Sequence, residues 1–193
     1  MNAVVNAPGK IWTEDELQAL PGDDFSYELV EGELVMSPKN DSFHSTICVR
    51  LTVALQAFAI AGRLGAVFGP EMGFWMKNRN CRAPDASFVA RARLAEMGFS
   101  PSARKFFPGA PDLAVEVLSP SNSRREMDAK LVDFFDSGTQ LAWLIDPEAR
   151  RAEVYRSPVH RSLVTSEGFL DGEAVLPGFR YLIANLFKEW DWD

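Results

Sequence analysis

Pro111-Asp112-Leu113-Ala114-Val115-Glu116-Val117-Leu118-Ser119-Pro120, with Lys130 on the amphipathic stretch that follows, is the segment whose reading decides the fold. An apolar strand pattern carries one carboxylate inside it, Glu116, and ends in a turn before a helix begins. Strand alternation puts Asp112, Ala114, Glu116 and Leu118 on one side and Leu113, Val115 and Val117 on the other. The valine side suits packing on a helix, and the smaller neighbours of Glu116 leave room for an ion. A half-exposed strand would also account for Glu116, but an unpaired carboxylate buried in so apolar a run is costly, which favours a functional role.

Upstream, Ala83-Pro84-Asp85 heads another short strand, Ala86-Ser87-Phe88-Val89. Pro-Asp is a common way to start a strand from a turn, and Asp112 follows Pro111 in the same manner. Position separates the two aspartates. Asp112 lies about 13 Å from Glu116 at strand rise, too far to share an ion, whereas Asp85 on a neighbouring strand can come within reach. Lys130 borders the helical stripe Met127, Leu131, Phe134 and Phe135, so it sits at the edge of the face that meets the sheet. A lysine there can snorkel to water, or its ammonium can reach the two carboxylates. Two acids on adjacent strands and one lysine are the minimum needed to hold a hard divalent cation beside a phosphate. Glu28, Glu31 and Glu33 crowd a hairpin nearer the N-terminus; alternation places Glu31 and Glu33 on one face, and Glu31 is taken as the further acid of the site. His44, in the first turn of a helix, is a surface or capping group or a phosphate contact.

Working outward, Thr13 and Glu16 form a capping box for a short helix ending near Pro21. Tyr27–Val30 and Glu33–Met36 flank Glu31-Gly32 as a hairpin. Asp41 or Ser42 caps a long helix striped by Ile47, Leu51, Ala54, Leu55 and Phe58 and stopped at Gly62. Strands are predicted at Ala66–Met76, Pro84–Ala90 and Leu113–Leu118, with a partly helical surface loop between the last two. Ser123 and Glu126 cap a helix from Arg124 to about Ser137, ended by Gly138, and Leu141–Ile145 reads as a fully buried strand. Ala152–Tyr155 and Ser162–Leu186 read as meandering strands, and Glu189–Asp193 as a loosely held tail. The order helix, three strands, helix, strand predicts an α/β fold: an αβββαβ core, a mixed four-stranded sheet flanked by helices, with added β-hairpins at both ends.

The 193 residues fit a single domain, 1–193, with a sizeable core. Two cysteines, Cys48 and Cys81, without a CxxC pair argue against a zinc site or a disulfide framework. The apolar stretch Thr46–Ala61 is interrupted by Arg50, Thr52 and Gln56, and no secretory leader pattern is visible, so no membrane span and a cytoplasmic location are expected. The net charge of −7 weighs against non-specific nucleic-acid binding as the main task, because that affinity comes from neutralising phosphates. It leaves open a basic cleft, to which Lys77, Arg79, Arg82, Arg91, Arg93, Arg124 and Arg125 could contribute. No GxSxG elbow, GxxxxGK[ST] loop or GxGxxG turn is found.

With these residues in place the chain resembles the Uma-type restriction endonuclease family of the PD-(D/E)XK nuclease superfamily. The matching pieces are Tyr27–Leu34, His44, Ala83-Pro84-Asp85, Pro111–Ser121, Lys130, Trp143–Pro147 and Leu176-Pro177-Gly178. The resemblance implies DNA as partner and a metal-dependent active site in which Asp85, Glu116 and the Val117 carbonyl hold Mg²⁺ or Mn²⁺. The superfamily places a lysine two residues after the glutamate. Here that position is Leu118, so the resemblance implies that Lys130 substitutes from the following helix. A homodimer is expected if both strands of a duplex are cut. The rival expectations are a catalytically inactive DNA-binding or assembly protein that retains the fold, and a structural domain with no nucleic-acid partner.

Overall fold

The computed structural model describes residues 3–5, 10–20, 25–38, 40–120 and 122–190. In it the Glu116 segment becomes the central strand β9 (Leu113–Val117), buried at every residue. It lies between β7 (Ala86–Ala90), antiparallel to it, and β10 (Leu141–Asp146), parallel to it. β4 (Gly65–Phe68) pairs antiparallel with β7, and β11 (Arg151–Tyr155) and β12 (Arg161–Val164) continue the sheet beyond β10. The order is β12-β11-β10-β9-β7-β4. The expected four strands, β4, β7, β9 and β10, form one side of a six-stranded mixed sheet, with β4 at the edge, and the chain after Pro147 adds two more beyond β10 by folding back as a meander. A parallel β9–β10 pair needs a crossover, and α4 (Arg124–Ser137) supplies it.

Both sheet faces are covered, which is why β9 tolerates so few polar residues. Leu113, Val115 and Val117 pack with Ile47, Leu51 and Leu55 of α2 (Ser42–Gly62). Ala114 and Leu144 pack with Met127, Leu131 and Phe134 of α4. Glu116 therefore points toward α4, the helix that carries Lys130. The caps of α4 are those of the sequence reading: Ser123 and Glu126 bond reciprocally, and Gly138 takes φ 116°. For α2, Asp41 caps the start by accepting from His44 N at 2.9 Å. Its left-handed end is Arg63 (φ 51°), and Gly62 is the last helical residue. A Cβ at Gly62 would stand 2.8 Å from Leu64 Cγ, so a larger residue there would push the Leu64 side chain aside. α2 is long and apolar enough to cross a membrane, with a mean hydropathy of 1.5, but its Ile47–Leu51–Leu55 face forms the core under β9.

A second sheet, ordered β1-β3-β2-β6-β5-β8, joins β1 (Ala3–Val5), β2 (Phe25–Val30), β3 (Glu33–Pro38), β5 (Phe74–Trp75), β6 (Cys81–Arg82) and β8 (Phe107–Pro108). The stretch expected as one strand, Ala66–Met76, is split between the two sheets, with β4 in one and β5 in the other. Gly69-Pro70 lies at the break, where proline cannot donate to a ladder. The chain then runs from β6 through Ala83-Pro84-Asp85 into β7, so Asp85 stands where the two sheets meet. The region between β7 and β9 contains α3 (Arg91–Glu96), and a short α1 (Glu14–Gln18) precedes β2. A hairpin of β13 (Phe169–Asp171) and β14 (Arg180–Leu182) closes the α2 side, with Phe179 stacked on Trp143 at 5.9 Å. Arg50 donates to the carbonyls of Leu186 and Lys188 and ties the last stretch to α2. The proposed helix end at Pro21, Ser121 and the tail residues Asp191–Asp193 lie outside the described residues.

Candidate active site

Because Glu116 and Lys130 face each other across the β9–α4 interface, the ammonium lies 3.0 Å from both Glu116 oxygens. The same Nζ is 3.1 Å from Glu28 Oε1. One residue before the β7–β9 pair Ala86–Val115, Asp85 reaches the same end of β9, and its Oδ2 accepts from Val117 N at 2.8 Å. The Val117 carbonyl accepts from His44 Nε2 at 2.9 Å, and that nitrogen also lies 3.4 Å from Asp85 Oδ2. The structure thus brings Asp85, Glu116, Val117 and Lys130 to one place. It adds His44, reached from the first turn of α2.

Glu31 is not brought there. It occupies the β2–β3 turn with φ 52° beside Gly32 at 83°, is exposed, and uses its backbone N–H to donate to Asn80 Oδ1 at 2.7 Å. Two successive positive φ values are what a tight hairpin demands, so Glu31 is a turn residue and strand alternation does not govern it. Glu28, inside β2, is the hairpin acid at the site. Its Oε2 pairs with Arg82 Nη1 at 3.1 Å and its Oε1 accepts from Ala83 N at 2.9 Å. Arg82, read from sequence as one of several flanking cations, is buried and also donates to Asp133 through Nε at 2.7 Å and Nη2 at 2.6 Å. Asn80 and Asn78 donate to the same Asp133 carboxylate at 2.8 and 2.6 Å. Asp133 was missed; its signal was the spacing of one helical turn from Lys130 on α4. Asp112 has a structural role, accepting from Ala90 N, Arg93 and Gln140.

Burial pushes the Glu116 carboxyl above the usual range; Lys130 opposes this, and Asp85 and Glu28 reinforce it. Burial alone would lower Lys130, but Glu116, Glu28 and Asp85 outweigh it and hold it up. The ammonium persists while several carboxylates compete for it. His44 is likewise raised, burial being outweighed by the hydrogen bond and charge of Asp85. Its Nδ1 lies 3.4 Å from Cys48 Sγ, a His–Cys pair one helical turn apart. Burial, with the Asp85 and Glu116 charges, pushes the Cys48 thiol far up, and a thiol kept protonated is not a nucleophile.

Glu28, Asp85, Glu116 and Asp133 stand against Lys130, Arg82 and the imidazole of His44, four carboxyl groups in one partly buried cluster that can accept a further cation. Carboxylates with a backbone carbonyl are the hard oxygen donors that Mg²⁺ and Mn²⁺ prefer, so the residues present fit such an ion. His44, Cys48 and Asp85 also offer a nitrogen, a sulfur and an oxygen within 4.8 Å of one another. The cluster borders a cavity of about 380 Å³ whose wall includes Phe25, Tyr27 and Phe106. Leu118, at the position of the superfamily's usual lysine, is partly buried against the core under α4.

A helix, a mixed sheet containing the adjacent strands β10, β9, β7 and β4, a crossover helix, and acids where the two sheets meet define a restriction-endonuclease-like fold. A solved structure described as "a putative nuclease belonging to DUF820" from Anabaena variabilis shares it, with a TM-score of 0.77 and 24% identity over 91% of this chain and 97% of that one. No curated protein matches the chain. The family described as "Uma2: Putative restriction endonuclease" matches residues 14–185, and the chain belongs to that family.

Proposed function

We propose that the chain is a metal-dependent endonuclease that hydrolyses DNA phosphodiester bonds, with Asp85, Glu116 and the Val117 carbonyl holding Mg²⁺ or Mn²⁺ and Lys130 serving as a migrated active-site lysine. The observation that carries this reading is the Lys130 ammonium at 3.0 Å from both oxygens of Glu116, reached from the neighbouring helix. When bound, the cation supplies charge neutralisation on the phosphate and acidifies water. Glu116 and Asp85 supply the negative charge that binds it. Lys130, kept protonated by its carboxylate neighbours, orients the attacking water or donates to phosphate oxygens as charge develops there, where a donor in a water-poor site is most effective. His44 holds the Val117 carbonyl in direction through its 2.9 Å bond. Arg82 and Asp133 keep Glu28 beside Lys130. The displacement forms a bond from water oxygen to phosphorus and breaks one ester P–O bond; one proton of the water goes to the leaving sugar oxygen and the other to solvent.

Leu118 favours the second reading, a DNA-binding or assembly protein that keeps the fold without the activity. Calorimetric titration of the protein with Mn²⁺, alongside Asp85→Asn and Glu116→Gln, tests the metal site. Binding at or below about millimolar Mn²⁺ that either substitution weakens supports it. Absence of binding by the unsubstituted protein overturns it.

A further inference from the structure

The cavity beside the acid cluster has a wall that metal chemistry does not require. Phe25, Tyr27 and Phe106 line it together with Asp85, Glu116 and Lys130. Among the described residues lining it, Lys130 is the only lysine or arginine, and it is engaged by Glu116 and Glu28. Three of the cations that flank the site in sequence are held in ion pairs: Arg82 by Asp133 and Glu28, Arg93 by Asp112, and Arg124 by Asp128 and Glu153. Duplex affinity comes mainly from neutralising phosphates along the backbone, and this wall has few groups for that. Aromatic faces bind bases, because every base has a π-face and stacking does not depend on sequence.

Depth points the same way. Glu116 is 7% exposed, and the cavity, at about 380 Å³, is the size that encloses one small ligand. A phosphate that reaches the acids must descend between the walls. A duplex holds its backbone on the outside of a stiff rod, whereas an unpaired strand can turn one phosphate inward and lay its bases on the sides. Phe25, at the start of β2, is 39% exposed. The Phe106 ring lies against Gly73, where an added Cβ would stand 2.7 Å from it, so glycine is what admits the ring there.

We propose that this site takes an unpaired DNA strand, gripped by base stacking on Phe25, Tyr27 and Phe106, with few phosphate contacts. The inference rests on the nuclease reading of the same site and names its substrate form. One active site then suffices for one cut, without a second copy of the chain.

The test is fluorescence anisotropy of a labelled oligonucleotide, unpaired and as a duplex, with Ca²⁺ in place of Mg²⁺, from about 50 to about 200 mM salt. The unsubstituted protein is compared with Phe25→Ala, Tyr27→Ala and Tyr27→Phe, each checked for folding by circular dichroism. The unpaired strand is expected to bind at least about tenfold more tightly than the duplex, with a log–log salt slope shallower than about −2, the value for roughly three phosphate contacts on a single strand. Phe25→Ala and Tyr27→Ala should weaken binding roughly five- to a hundredfold, and Tyr27→Phe should retain it. Equal or tighter binding of duplex, a steep salt slope, no binding of either form, or folded alanine variants that bind unchanged would each overturn the inference. If an alanine variant fails to fold, strand preference and salt slope of the unsubstituted protein decide. Tight binding of the unpaired strand with no cleavage in Mg²⁺ or Mn²⁺ sinks the nuclease reading alone; cleavage of duplex without preference for the unpaired strand sinks this inference alone.

Discussion

Lys130→Met removes the one ammonium that lies between Glu28 and Glu116, at 3.1 and 3.0 Å. All three side chains are largely buried, with 13, 16 and 9% exposure for Lys130, Glu28 and Glu116, so water from the cavity they line replaces the lost partner only in part. Breaking a buried pair from one side costs about 3–5 kcal/mol, because a charge is left uncompensated. Glu116→Gln acts in the opposite sense. It deletes a carboxylate whose ionised form burial and its acidic neighbours already disfavour, and it changes stability by less than about 1 kcal/mol or raises it. The double variant should recover at least about 1 kcal/mol of the Lys130→Met loss, since the two groups touch. Urea unfolding near neutral pH reads all three: at about 1–3 kcal/mol per molar urea, Lys130→Met lowers the midpoint by about 1 M or more. A Lys130→Met midpoint equal to that of the unsubstituted protein, or a Glu116→Gln loss as large as that of Lys130→Met, refutes the claim that the lysine compensates an excess of buried acid.

Further expectations concern the surrounding frame. Glu153 is held below the usual carboxylate range: burial opposes this, but hydrogen bonds from Tyr155 and Arg124 outweigh it. Its contribution is therefore present above the ordinary carboxylate pKa and lost as pH falls through the lowered one, so Glu153→Gln should flatten the loss of stability seen in urea melts between about pH 5 and pH 2; an unchanged acid limb contradicts this. Ser123→Ala removes the acceptor for Glu126 N at the start of α4 and should cost about 1 kcal/mol in thermal or urea unfolding, with a loss below a few tenths contradicting the capping role. Gly65→Ala would place a Cβ 2.1 Å from the Val89 carbonyl, a backbone clash worth about 1–3 kcal/mol or more of destabilisation, and an unaffected melting temperature would contradict the β4–β7 packing.

Much of the fold was legible because its signals are local. Ser123, Glu126 and Gly138 bound α4 to the residue, and the short apolar run Leu141–Ile145, closed by Asp146-Pro147, suits a buried strand. Alternation in β9 and the stripe of α4 put Glu116 and Lys130 near the face the two elements share, and left open whether the lysine turns to the carboxylates or to water. Other features depend on tertiary context. Ala66–Met76 reads as one strand, yet its halves enter different sheets, and only the pairing of β5 with β6 and β8 decides that. Glu31 and Glu28 are alike as sequence; the turn backbone excludes the first from the site. Arg82 looks like a loop cation until Asp133, distant in sequence, is placed beside it. His44 and Cys48 meet because both stand on the inner side of α2, a pairing visible only when spacing is read on the helix.

The most direct test of the central claim is DNA cleavage by the purified protein in Mg²⁺ or Mn²⁺, beside Glu116→Ala and with chelator as control. The account predicts cutting by the unsubstituted protein that the chelator abolishes and that falls about a hundred- to a thousandfold in Glu116→Ala. Cutting that survives the chelator, equal rates for the two proteins, or no cutting by either would contradict it.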